Sequence, residues 1–127
     1  ATPIAYEVFA QNSAPNEASM TINLLYFDGC PSWNTALTNL QAALKEEQLD
    51  YSINPIKIET DQETATTKFL GSPSFQIDGK DFWPENRSAY SMNCRVYKTP
   101  NGIQGWPTVE MLRQKLINIR KDKETAK

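Results

Sequence analysis

Between Ile22 and Leu44 the hydrophobic pattern changes period once, and few folds accommodate such a change. Ile22 to Phe27 is a short, nearly continuous apolar run ended by Asp28-Gly29, the pattern of a strand buried on both faces in a parallel sheet. Trp33, Leu37, Leu40 and Leu44 then recur at steps of four, three and four, placing one apolar stripe along a helix that runs to about Gln48. Pro31 suits the first turn of that helix, where no backbone donor is required. A buried strand feeding straight into a helix implies a right-handed crossover to a parallel partner.

That partner is read at Tyr51 to Ile58, where Pro55 signals an irregularity or an edge. Asp61 offers an N-cap for a short helix through Thr64, Ala65 and Lys68. Ser74 to Ile77 reads as a third strand followed by the reverse-turn pair Asp78-Gly79, and Cys94 to Lys98 as a fourth. Between them, Asp81 to Asn93 is irregular and aromatic, the composition of an inserted loop. Val109, Leu112, Leu116 and Ile119 mark a final helix that frays into a charged tail. The order βαβαββα predicts a mixed four-stranded sheet with helices on both faces.

A chain of 127 residues leaves room for one core, taken as residues 20–120, with 121–127 as the tail. Residues 1–19 read as an extension: Ile4, Tyr6 and Val8 alternate like an edge strand, and Gln11 to Ser19 is linker-like. The extension is either native or vector-derived. If native, its strand could pair with another copy, so monomer and homodimer both stay open.

Histidine is absent, which excludes Ser-His-Asp triads, Cys-His dyads and imidazole-ligated metals. A net charge of −2 gives no support to a nucleic-acid partner, and no apolar run approaches the roughly 20 residues of a bilayer span. No signal sequence is visible, so the reducing cytoplasm is the default compartment. Two cysteines are too few for a structural zinc site but enough for redox chemistry.

Gly29-Cys30-Pro31-Ser32-Trp33 lies where the buried strand hands over to the helix, so the Cys30 sulfur would sit at the solvent boundary and face unpaired helix amides that favour a thiolate. A lone cysteine is more often a small buried hydrophobe than a nucleophile, and its context decides between the two. Arg95 could stabilise a thiolate at Cys94, or Cys94 could be a packed strand residue. Asp28 is either a proton acceptor or a turn cap. Trp33, Phe82, Trp83 and Trp106 supply core area or a substrate groove, with Trp33 on the core stripe and Trp83 and Trp106 nearer the surface.

Taken together, the strand-end Cys30, its flanking Gly29 and Pro31, and the loop Gly71-Ser72-Pro73 resemble the thioredoxin superfamily from about Ile22 to Leu116. More narrowly, Leu-Tyr-Phe-Asp-Gly-Cys-Pro-Ser-Trp, Phe-Leu-Gly-Ser-Pro-Ser and Cys94-Arg95-Val96-Tyr97 are similar to a bacterial thioredoxin-like family, some of whose members are labelled alkylmercury lyase. The resemblance implies a cis bond before Pro73 and a Ser72 backbone that pairs with an extended thiol substrate. It also implies a substrate surface that includes Pro31 and Trp33. One departure stands out: where thioredoxin has a second cysteine three residues after the first, this chain has Trp33.

Three functions follow. The leading one is a thiol-disulfide oxidoreductase in which Cys30 attacks a disulfide, peroxide or glutathione adduct, either alone or resolved by Cys94. Its partner would be a thiol or disulfide, glutathione or a protein, and no cofactor is implied. The alternatives are capture of a soft, mercury-type metal by the thiolates, and a redox-inactive interaction module.

Overall fold

In a computed structural model, which describes residues 20–125, the apolar run becomes β1 (Thr21–Tyr26). Successive strand side chains point to opposite faces, and here Ile22 and Leu24 are buried on one side while Leu25 is buried on the other. Burial on both faces is why the run is continuous rather than alternating. The strand expected at Ile4 to Val8 lies outside the described residues.

The stripe that follows forms α1 (Trp33–Glu46), which buries Ala36, Leu40, Ala43 and Leu44. Ser32 is its N-cap, so Pro31 sits ahead of the helix rather than in its first turn. Next, β2 (Ser52–Lys57) pairs parallel with β1 in the register Thr21↔Ser52 to Tyr26↔Lys57. It is an edge strand, which is how Pro55 is accommodated within it.

The short α2 (Asp61–Thr67) is capped one residue earlier than expected. Thr60 accepts from the Glu63 amide and the Glu63 side chain returns to the Thr60 amide, a complete capping box, so Asp61 is the first helical residue. Then β3 (Ser74–Ile77) runs antiparallel to β1 and turns through Asp78 and Gly79, both at positive φ, into β4 (Lys80–Asp81). The mixed four-stranded sheet has the order β2-β1-β3-β4.

Its fourth strand is therefore not Cys94 to Lys98. That segment alternates buried Arg95 and Tyr97 with exposed Cys94 and Val96, which mimics a half-buried strand. The place beside β3 is instead taken by the two residues after the tight turn, because closing a short loop loses less entropy than closing a long one. Tyr97–Thr99 (β5) forms a separate hairpin with Gly102–Gln104 (β6).

The final helix, α3 (Val109–Thr125), continues into the segment expected to form a loose tail, as far as Thr125. Helices α1 and α3 pack together, and Leu40, Leu112 and Leu116 join Ile22, Leu24, Phe75 and Phe82 in the main core. On the other face Leu25 meets Ile58 and Phe69, the residues that flank α2. Each fully buried Leu, Ile or Phe contributes roughly 1.5–3 kcal/mol relative to exposure. Among the described residues no helix is long and apolar enough to cross a membrane.

Candidate functional site

Cys30 stands in the turn between β1 and α1, where its amide donates to the Phe27 carbonyl at 3.2 Å. Its side chain is 2% exposed, so the sulfur expected at the solvent boundary is instead covered. The expected partner was a helix amide. The observed one is an acceptor: Sγ donates to the Ser72 carbonyl at 3.4 Å.

Ser72 is the pivot of the site. It is fully buried, its Oγ accepts from the Phe27 amide at 3.4 Å, and its peptide bond to the buried Pro73 is cis. Both of its backbone groups are already paired. Its amide donates to Asn93 O, and its carbonyl accepts from the Arg95 amide, each at 2.8 Å. Cys94, between those two residues, forms a parallel bridge with Ser72. A substrate backbone was expected along this edge, and the chain's own residues 93–95 occupy it.

This close approach depends on Gly71. Its φ is +116°, a region that side chains rarely adopt, and a Cβ there would lie 2.9 Å from Arg95 Cβ and 3.1 Å from Arg95 Cα.

The bridge brings the two cysteines together. Cys94 is exposed and a free thiol, pushed up from the ordinary 9.0 to about 11. The main cause is a hydrogen bond to Cys30, followed by burial and by the repulsion a second thiolate would meet. Both cysteines thus lie against Ser72, Cys30 through its Sγ on the carbonyl and Cys94 through the backbone bridge. Both earlier readings of Cys94 are overturned, because it is not packed away and Arg95 does not serve it.

The Arg95 guanidinium is buried and turned toward β4. It meets Asp81 at 3.0 and 3.1 Å, the Trp83 carbonyl at 2.7 Å and Ser74 Oγ at 3.1 Å, and lies over the Tyr97 ring. Burial pushes the Asp81 carboxyl up, against the pull of the guanidinium beside it. The Tyr97 hydroxyl donates to the Pro73 carbonyl. These contacts clamp both ends of the loop between Phe82 and Asn93. Nothing in the spacing of Asp81, Arg95 and Tyr97 announces this cluster, since each member is an ordinary residue until the loop closes.

The other expected site residues are less central. Trp33 stacks on Tyr26 with ring centroids 4.2 Å apart and is half-buried against the main core, while Pro31 is exposed. Phe82 is buried, and Trp83 and Trp106 also pack on that core, which favours core area over a groove. Asp28 pairs with Lys57 of the neighbouring strand at 2.7 Å. Among the described residues no group of three or more acidic, Cys or His side chains could hold a metal ion. Compared with known proteins, the chain matches no family model, no curated protein and no solved structure.

Proposed function

We propose that the protein is a thiol-disulfide oxidoreductase on a thioredoxin-like scaffold, with Cys30 and Cys94 as its redox couple. One observation carries the reading: two cysteines far apart in sequence converge on Ser72, Cys30 Sγ donating to its carbonyl and exposed Cys94 bridged to it along the backbone. The scaffold half of the proposal draws support from the order β2-β1-β3-β4, with a cysteine just after β1 and Pro73 just before β3.

Exposure sets the order of events. The thiolate of Cys94 bonds to one sulfur of a disulfide R–S–S–R, the S–S bond breaks, and its electron pair leaves on RS⁻. Cys30 then bonds to Cys94 Sγ and expels the second RS⁻. The two cysteine protons end on the two released thiols, and two electrons have passed from the couple to the substrate. An external dithiol, or two monothiols, reverses the sequence and restores the couple. This reverses the roles expected from the sequence: exposed Cys94 attacks, and buried Cys30, the expected nucleophile, resolves the mixed disulfide from a different segment of the chain.

The test is to treat the protein with bis(2-hydroxyethyl) disulfide and map its peptides without reduction. A Cys30–Cys94 cross-link with loss of two hydrogens is expected. Its absence, with only separate mixed disulfides formed, would refute the reading. The same juxtaposition also suits a two-coordinate soft cation such as Hg(II). Tight Hg(II) binding without any disulfide turnover would favour that second reading.

A further inference from the structure

We infer that the substrate of this couple is a compact thiol or disulfide that meets Cys94 directly, and not an extended polypeptide laid along Ser72. The inference rests on the oxidoreductase reading and narrows it.

A polypeptide recognised as an added strand needs a free amide and a free carbonyl on the receiving residue. Ser72 has neither, because Asn93 O and the Arg95 amide already take them, each at 2.8 Å. Little room is left beside that pairing, since even a Cβ at Gly71 would lie 2.9 Å from Arg95 Cβ. Nor is the covering segment loose. Its Arg95 side chain is 4% exposed and bound to Asp81, which is 5% exposed, and Tyr97 holds the Pro73 carbonyl from the other side. An incoming strand would have to break two backbone hydrogen bonds and disturb a buried ion pair before it could dock.

A compact molecule has no such barrier. Cys94 is exposed, and so are its neighbours Asn93 and Val96, while Arg95 turns inward. A disulfide of a few atoms can therefore reach Cys94 Sγ with the segment in place. The step is the one already written: RS⁻ leaves at the first attack, Cys30 expels the second, and the couple closes as a disulfide.

The experiment compares two probes carrying the same leaving group on the wild-type protein. One is bis(2-hydroxyethyl) disulfide; the other is a ten-residue linear peptide whose central cysteine carries a 2-hydroxyethylthio group. Each rate is normalised to that of free dithiothreitol with the same probe. Because the closed segment offers the peptide no strand to pair with, docking gives it no advantage, and its normalised rate should not exceed that of the small disulfide. A normalised peptide rate about tenfold or more above that of the small disulfide, the gain of about one added backbone hydrogen bond or more, would overturn the inference and leave the oxidoreductase reading intact. Failure of both probes to produce the Cys30–Cys94 cross-link would overturn both.

Discussion

Replacing Cys30 with alanine removes the neighbour responsible for two of the three causes that raise the Cys94 thiol. Of the three causes that push Cys94 to about 11, only its burial then survives, so the thiol relaxes toward 9.0. At about pH 8 the thiolate fraction rises from about 10⁻³ to about 10⁻¹, while the less basic sulfur loses roughly tenfold in intrinsic nucleophilicity at a Brønsted slope near 0.5. The net expectation is that Cys94 is alkylated about tenfold faster in Cys30→Ala than in the wild type. Iodoacetamide kinetics resolved by peptide mass spectrometry measure this at Cys94 alone. The pH profile supplies a second readout, because the wild-type rate should climb until about 11 whereas the variant's should level off nearer 9. A Cys94 that reacts in the variant at the wild-type rate or slower would refute the contact between the two sulfurs.

Three further outcomes are expected. Asp81→Ala strands the buried Arg95 guanidinium and should destabilise the fold by about 3–5 kcal/mol in urea unfolding, whereas Asp28→Ala, on an exposed pair, should leave the midpoint unchanged. Gly71→Ala must adopt φ +116° and push against the Arg95 backbone, and should cost about 2–4 kcal/mol by the same assay. Because the Cys94 thiol binds its proton more tightly folded than free, wild type should lose stability relative to Cys94→Ala as the pH rises from 9 toward 11. A difference between the two proteins that stays flat across that range in parallel unfolding curves would contradict it.

Much of the scaffold was legible because it is local. The continuous apolar run and the four-three-four stripe describe β1 and α1 by period alone, and Asp78-Gly79 carries its own turn chemistry. Boundaries moved where a neighbour outcompeted the obvious residue, as Thr60 displaced Asp61 at the cap of α2. The fourth strand was misplaced because Arg95 and Tyr97 turn inward for an ion pair and a hydroxyl bond rather than for a sheet. Alternation of burial does not say which of these causes it.

By itself the sequence determined that a cysteine follows a doubly buried strand, that a proline loop precedes a later strand, and that imidazole chemistry is excluded. Only the tertiary structure decided which sulfur faces solvent and what covers Ser72. The physical reason is that Cys30 and Cys94 meet through a long loop whose closure is held by a buried Arg95–Asp81 pair and a glycine with no side chain to obstruct it. Such contacts have no period and no spacing rule, so they come into being only when the chain folds.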